Sequence, residues 1–153
     1  MNIITPRFGK IEYNEADLIT FPQGIPGVQK FKRYVLLPVK ESDDVPFVFL
    51  QSTEDGDLCF LLLDTLSFFP DYEFELPESD RRSLALTEPE DVLVFTVVTV
   101  KGSLREATTN LKAPLVINQR HRIGKQIVLD KEDYLIKQPL FRAEPSSDAV
   151  TSR

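Results

Sequence analysis

The chain has 153 residues, a net charge of −6 and one cysteine, Cys59. That length allows one domain with a proper core, while a single cysteine excludes an intrachain disulfide, so we expect a buried, inert thiol and a reducing compartment. No apolar run approaches the roughly 18 residues that span a bilayer, and the N-terminus lacks the apolar region of a signal peptide. The composition therefore predicts a soluble, cytoplasmic protein that does not contact a membrane.

Charge is distributed unevenly along the chain. Residues 41–91 contain 15 acidic side chains against Arg81 and Arg82, a net charge of −13, whereas residues 101–125 contain 6 basic side chains against Glu106, a net charge of +5. The acidic middle would repel nucleic acid and attract a basic protein. The basic stretch could either contact a phosphate or pair with the acids of the same chain.

Short runs of Val, Ile, Phe, Tyr and Thr, with period-two or continuously apolar patterns, predict a mainly β fold. Helix is limited to a turn or two around residues 28–33 and to residues 77–84, where Pro77 and acids in the first turn suit a helix N-terminus. The predicted strands are, in chain order, residues 8–13, 18–21, 34–39, 47–52, 58–63, 72–76, 92–100, 115–118 and 126–129.

Two local patterns indicate how these strands are arranged. The pair Asp55-Gly56 predicts a tight turn that joins residues 47–52 and 58–63 as an antiparallel hairpin. The run 92–100 carries no charge on either face, so it needs cover on both sides, as a central strand would have. Because no long helical crossover is present, we predict an all-β fold, a compact antiparallel β-barrel-like domain with one or two short helices.

This domain is expected to occupy residues 1–142, since no repeat or linker divides them. Residues 143–153 are too polar to pack and predict a disordered tail. Within the domain, residues 22–27, Pro-Gln-Gly-Ile-Pro-Gly, predict a rigid turn in which Ile25 either plugs the core or forms an exposed apolar contact. Asn110 and Asn118 bracket a strand and are expected to satisfy backbone groups in turns.

Strict alternation of acids and apolar residues marks the segment 68–76, Phe-Phe-Pro-Asp-Tyr-Glu-Phe-Glu-Leu. In an extended strand, successive side chains point to opposite faces, so one set enters the core and the other forms a row at the surface. Such a row is either a solvated strand face or a surface that a basic partner covers. The expected core residues are Tyr72, Phe74 and Leu76, and the expected row is Asp71, Glu73 and Glu75.

Catalytic and metal sites find little support in the residues. His121, the single histidine, lies among cations without a nucleophile motif nearby and is expected in a solvated loop. One His and one Cys do not make a structural zinc site, and the acidic turn 54–57 lacks the ligand pattern of a calcium loop. Gly24 and Gly27 are interleaved with prolines, which lack the backbone N–H groups that a phosphate-binding loop needs. We therefore expect no enzyme, no metal and no cofactor.

Two other functions remain as alternatives. An RNA-binding β-barrel module would place Lys112, Arg120, Arg122 and Lys125 on phosphates, although no aromatic residue lies between residues 101 and 125 to stack on bases. An enzyme would use paired acids as general acid and base, for example Asp64 with Asp71, and would need a cleft that raises their pKa values.

A set of short motifs in a fixed order along residues 5–140 resembles the flagellar assembly factor FliW family. The chain departs from the usual family pattern at Val28, where an aromatic is common, and at Thr65, where a proline is common. The motifs are Ile19-Thr20-Phe21-Pro22, Gly24-Ile25-Pro26-Gly27, Leu50-Gln51-Ser52, Phe68-Phe69-Pro70-Asp71-Tyr72, Asn110-Leu111 with Ala113-Pro114, Val116-Ile117-Asn118, Gly124-Lys125-Gln126 and Pro139-Leu140.

The resemblance implies a barrel-like protein without enzymatic activity. FliW-like proteins bind the RNA-binding translational regulator CsrA and relieve its repression of flagellin translation. They also bind flagellin, so the two partners exchange and the flagellin level sets how much CsrA is free. The resemblance thus implies a cytoplasmic chaperone-like regulator whose partners are CsrA and flagellin, without direct binding to nucleic acid.

The acidic row and its neighbouring aromatics are the candidate partner-binding site. Interface centres favour aromatic residues and their rims tolerate charge, and CsrA is a basic protein. The competing interpretation is that the two aromatics belong to the core. The candidate contact residues are Phe69, Asp71, Tyr72, Glu73 and Glu75.

Overall fold

The computed structural model describes residues 1–39, 46–130 and 132–141, so the predicted tail, residues 143–153, lies outside the described residues. Within the described ranges, no helix is long and apolar enough to cross a membrane. The strands there are β1 (Asn2–Thr5), β2 (Gly9–Glu12), β3 (Ile19–Thr20), β4 (Arg33–Pro38), β5 (Phe47–Ser52), β6 (Cys59–Asp64), β7 (Val92–Lys101), β8 (Ser103–Thr109), β9 (Leu115–Asn118), β10 (Ile123–Gln126) and β11 (Gln138–Pro139). The helices are α1 (Thr65–Phe68) and α2 (Glu78–Ser83), and one-turn 3-10 helices cover Glu15–Asp17 and Pro89–Asp91.

Seven strands close into a barrel in the order β3, β4, β5, β6, β7, β9 and β10, with β10 pairing back onto β3. Each neighbouring pair is antiparallel except β10 with β3, which is parallel at Ile123 and Thr20. An odd number of strands forces this exception, because alternating directions around a closed ring cannot match at the last pair. The predicted all-β, barrel-like fold is confirmed, with one parallel pair where only antiparallel pairs were expected.

The barrel interior holds the main hydrophobic core. Its walls contribute the fully buried Ile19, Leu50, Leu62, Leu115 and Ile117. The turn at residues 22–27 closes one part of this core. Ile25 is buried in the core, which confirms the expectation that it packs inward and does not form an exposed contact. A buried apolar side chain of this size stabilises the folded state by about 1.5–3 kcal/mol.

Strand β7 is covered on both faces over residues 92–98, as its uncharged sequence predicts, whereas Thr99 and Val100 of the same uncharged run are exposed. Leu93 and Phe95 pack into the barrel interior, whereas Val94 packs into a second cluster on the outside of the wall. Val98 belongs to a third cluster that α1 and Leu140 cover. The wall formed by β7 and β9 therefore separates two apolar layers. One face of these strands encloses the barrel core, and the other face packs against the segments that cover it.

Other element predictions need correction. Residues 28–32 form turns and loop instead of a helix, and Arg33 already begins β4. Gly27 has φ +92°, and the chain returns at once to pair Phe21 N–H with the Lys32 carbonyl (2.8 Å). The strand expected at residues 126–129 is found earlier in the chain, as β10. Within β10, the Phe21 ring occupies the place that a side chain at Gly124 would need. Strands β1, β8 and β11 and helix α1 were not predicted.

The predicted hairpin between β5 and β6 is confirmed, but its glycine serves another purpose. Gly56 is not in a left-handed conformation. A Cβ there would collide with the main-chain carbonyl of Ile4 in β1, so close approach of two backbones requires the glycine. The fully buried Gln51 holds the turn from inside, since its Nε2 donates to the carbonyls of Gly56 (3.2 Å) and Leu58 (3.1 Å).

We expect Gly56→Ala to lower the free energy of unfolding by about 1–3 kcal/mol, because the added methyl group overpacks the contact with Ile4. At an open position with an ordinary φ, the same change would stabilise the protein. Urea denaturation measures the difference. The control is Asp57→Ala, an exposed neighbour that should stay within about 0.5 kcal/mol of the parent. Equal stability of both variants would contradict the close approach.

Burial raises the pKa of the Tyr34 hydroxyl from 10.0 to about 12, with a smaller contribution from the Glu54 carboxylate. Between about pH 10 and pH 12, the Tyr34 hydroxyl therefore stays protonated in the folded state and is ionised in the unfolded chain. Its contribution to stability is present below about pH 10 and is lost as the pH rises through about 12. We expect Tyr34→Phe to flatten the fall in unfolding free energy across this range, measured by denaturation at a series of pH values. A fall as steep as in the parent would contradict it.

Candidate protein-binding site

The acidic segment, which we define as residues 71–76, alternates between surface and interior as predicted. Asp71, Glu73 and Glu75 are exposed, whereas Tyr72 is 4% exposed and Phe74 is half-buried. The segment is nevertheless not a strand. It packs with its side chains against the face of the wall, where β7 and β9 already use their backbone groups in barrel pairing, so no ladder is open to it.

Two tyrosines anchor this segment. The Tyr72 hydroxyl donates to the Leu111 carbonyl (2.7 Å), and burial raises its pKa, with a smaller contribution from Tyr134. The Tyr134 ring lies 4.7 Å from the Tyr72 ring. Its hydroxyl accepts from Glu73 N–H (2.9 Å) and donates to the Glu73 carbonyl (2.8 Å). A side chain thus takes the place of a neighbouring strand.

The structure separates the two candidate aromatics. Tyr72 belongs to the core, as the competing interpretation had it, and only 4% of its surface is exposed. Phe69 is half-buried, packs edge-on against Phe68 at 5.0 Å and joins the second and third clusters. Phe69 and the three carboxylates remain predicted contact residues, with Tyr72 as the support beneath them.

An apolar groove of about 420 Å³ flanks the segment on one side. Leu66, which is 47% exposed, stands beside it, and Glu73 and Glu88 add carboxylates to a rim that also holds Arg81. Apolar recesses with a charged rim are typical of protein-binding surfaces. The apolar lining comes from Tyr72, Phe74, Leu76, Leu86, Val92, Val94 and Val116.

Much of the basic stretch pairs with acids or carbonyls of the same chain. Arg120 lies 3.6 Å from Asp91, and Lys125 forms an ion pair with Asp80 that is largely shielded from solvent. Arg122 donates to the Asp17 carbonyl (2.9 Å). Internal pairing with acids, one of the two interpretations of the charge pattern, is thus confirmed for Arg120 and Lys125, two of the four cations proposed as phosphate contacts of an RNA-binding module.

Pairing of the cations leaves the charge of the acidic segment at the surface. Lys125 and Arg120 offset Asp80 and Asp91, which are largely buried, whereas Asp71 and Glu75 of the segment are exposed. Charge at the surface acts on a partner through a distance of about 10 Å at moderate salt. The arrangement therefore directs a negative field outward from one side of the barrel.

Asn118 has the structural role that its position predicted. Its Nδ2 donates to the carbonyls of Leu84 (2.8 Å) and Ala85 (3.1 Å), and its Oδ1 accepts from Arg120 and His121 N–H. It therefore fixes the end of α2 to β9. Asn110 likewise accepts from Lys112 N–H (3.1 Å) in a turn.

The two acids of the rival enzyme hypothesis lie at the surface. Asp64 and Asp71 are both exposed, and Asp64 accepts a hydrogen bond from Ser67 (3.0 Å). His121 is exposed, as expected of a loop residue. Cys59 is only half-buried, which corrects the expectation of a fully buried thiol, although burial still raises its pKa. No three His, Cys, Asp or Glu side chains among the described residues group as metal ligands.

Comparison with known proteins assigns the barrel to a family. The model of the FliW protein matches residues 2–140. The chain belongs to the FliW family. It is 45% identical over 142 residues to the flagellar assembly factor FliW of Natranaerobius thermophilus, covering 92% of this chain and 93% of that protein. It is 42% identical over 141 residues to the flagellar assembly factor FliW of Geobacillus kaustophilus, covering 92% and 96%.

A solved structure supports the same assignment. The crystal structure of the flagellar assembly factor FliW matches with a TM-score of 0.86 and 38% sequence identity, covering 94% of this chain and 99% of the other. The resemblance carried by the short motifs is thereby confirmed. Several of those motifs have structural roles here, since Ile25, Gln51, Tyr72, Asn118 and Gly124 pack or hydrogen-bond inside the fold.

Tyr134 is the important residue that sequence reasoning missed. It lies outside every predicted element, and an aromatic residue within an otherwise charged loop was the one available signal. Its contact with Glu73 joins residues 61 positions apart, which no local pattern reveals.

We expect Tyr72→Phe to lower the free energy of unfolding by about 1–3 kcal/mol, because the buried Leu111 carbonyl loses its partner. Chemical denaturation measures the change. The matched control is Tyr13→Phe, since the Tyr13 hydroxyl bonds to no described residue. If both variants lost the same stability, the anchoring role of Tyr72 would be wrong.

Proposed function

We propose that this FliW-family chain is a flagellar assembly factor that binds the translational regulator CsrA and relieves its repression of flagellin translation. In the same proposal it exchanges CsrA for flagellin, so that accumulated flagellin releases CsrA. It acts in the cytoplasm, without enzymatic activity and without direct contact to nucleic acid. Membership of the family and the acidic surface support this proposal.

The observation that carries the proposal is the fixed acidic segment beside an apolar groove. Tyr72 and Tyr134 hold the backbone, so Glu73 and Glu75 stay exposed in one arrangement. A preformed surface avoids the entropy cost of ordering a loop when the partner binds. Opposite charge accelerates encounter with a basic protein, and the apolar groove can then bury side chains of that partner.

Exchange between two partners sets a further requirement. One partner displaces the other only if their sites overlap or if binding of one changes the affinity for the other. The simplest arrangement that meets this requirement is a shared surface. We therefore place both CsrA and flagellin on the acidic segment and its flanks.

We expect the double variant Glu73→Lys with Glu75→Lys to slow association with CsrA by about 10-fold or more at low salt, because steering by opposite charge accelerates encounter by roughly 10–10³. Stopped-flow or surface plasmon resonance measures the rate. High salt should reduce the difference in association rate between the parent and the double variant, because screening weakens the electrostatic attraction of the parent to CsrA.

The matched control is Glu12→Lys with Glu15→Lys, which makes the same change in net charge at exposed positions in and next to β2. It should associate almost as fast as the parent. If the control slows as much as the test variant, net charge alone matters and the acidic segment is not the site. If neither variant slows, the proposed surface is wrong.

A further inference from the structure

A second groove, of about 600 Å³, lies on the other flank of the acidic segment, between residues 73–77 and residues 127–130. Its volume is within the roughly 300–1,000 Å³ of ligand-binding clefts. The two stretches that border it belong to neither of the sheets and to no helix. The groove is therefore bordered by two segments whose backbones are not in ladders.

The far border, residues 127–130, makes two backbone hydrogen bonds to residues 112–114 without forming a strand. Ile127 N–H donates to the Pro114 carbonyl (2.9 Å) and Leu129 N–H donates to the Lys112 carbonyl (2.8 Å). Alternate residues of an extended chain present their backbone groups to opposite edges, so Val128 presents its N–H and carbonyl away from residues 112–114. Those groups of Val128 bond to no described residue, and its side chain is 71% exposed.

The near border has the same property. Glu73 uses both of its backbone groups on Tyr134, which belongs to the part of the chain that follows Asp130. Glu75 lies two residues on, so it presents its backbone groups to that same edge. Neither the N–H nor the carbonyl of Glu75 bonds to any residue in the described ranges. Glu75 and Val128, whose backbone groups bond to no described residue, thus border one groove from opposite sides.

Charge indicates what would fit between them. The exposed carboxylates of Glu75 and Asp130 stand on opposite borders, and apolar side chains, Phe74 and Val128 among them, line the space between them. An extended segment with alternating basic and apolar side chains matches this lining in charge and in period. Extended peptides commonly bind by adding a strand to an open edge, with main-chain hydrogen bonds supplying affinity.

We propose that this groove, the strand slot, receives one extended segment of a basic protein partner, which pairs through its backbone with Glu75 on one side and Val128 on the other. The inference deepens the proposed function by naming how the partner binds, and it takes from that function only that a basic protein covers this surface.

The first test uses the full chain and an acetylated, amidated hexapeptide of alternating lysine and valine. NMR amide exchange should show slowed exchange at Glu75 and Val128 when the peptide binds. A second peptide, with its valine amides N-methylated, has the same charge but lacks those N–H donors. The methylated peptide should bind at least about 10-fold more weakly, because the loss of one or two hydrogen bonds lowers affinity by about a factor of ten. Equal binding of both peptides without amide protection would show attraction by charge alone and would overturn the slot.

The second test uses Val128→Pro against Val128→Ala. Proline removes the N–H that faces the slot, and this group bonds to no described residue, so the fold loses no hydrogen bond there. Alanine removes the side chain and keeps the N–H. The proline variant should bind the unmodified peptide about 10-fold more weakly than the alanine variant, with circular dichroism confirming that both are folded. Equal affinity would contradict backbone pairing at Val128.

The outcomes separate this inference from the proposed function. If CsrA binding responds to reversal of Glu73 and Glu75 while the peptide protects no amide, the slot is wrong and the proposed function stands. If the peptide protects both amides while CsrA ignores the reversal, the slot stands and the surface proposed for CsrA is wrong. Protection in the protein alone that disappears on dilution would show that a second copy of the chain fills the slot, which would also overturn the proposal.

Discussion

Closure of the barrel is the constraint on which the remaining structure depends. Seven strands in a ring satisfy one another's backbone groups, with the parallel contact of β10 and β3 completing the circle. Closure removes the edges that an open sheet would expose to aggregation. Where β7 pairs with β9, at Val92–Phe95, the backbone groups are already used in the ring, so a segment that covers this part of the wall attaches through side chains.

The acidic segment illustrates the effect of that constraint. It covers the apolar outer face of β7 and β9 with Tyr72, Phe74 and Leu76, yet its backbone is held by the hydroxyl of Tyr134. A strand in a ladder would have its polar backbone groups paired and would present side chains alone. Here the segment presents carboxylates and backbone groups together, which gives a partner two kinds of contact at one place.

The sequence predicts which face of each segment is buried better than it predicts which segments pair. Alternation in residues 71–76 correctly placed the three acids outside, because side-chain direction is a local property of an extended chain. It did not reveal the absence of a ladder, which depends on whether a distant strand has a free edge. Strand β8 was missed because its buried positions, Ala107 and Thr109, are too small and too polar to mark a core strand. The sequence predicts only part of the candidate site, since its acids lie close together in the sequence whereas Tyr134 and residues 127–130 come near them only through the fold.

Recognition through backbone groups, as proposed for the strand slot, has a consequence for the proposed exchange of partners. Main-chain hydrogen bonds read an extended shape and carry little information about sequence, so two unrelated proteins can use the same slot. Discrimination between them then depends on side chains outside the slot. The apolar groove beside Leu66 and Phe74 borders the same acidic segment, so a partner that fills both recesses buries more apolar surface than one that fills the slot alone. The difference in affinity between the two partners that an exchange needs can therefore come from the apolar groove, while both partners share the strand slot.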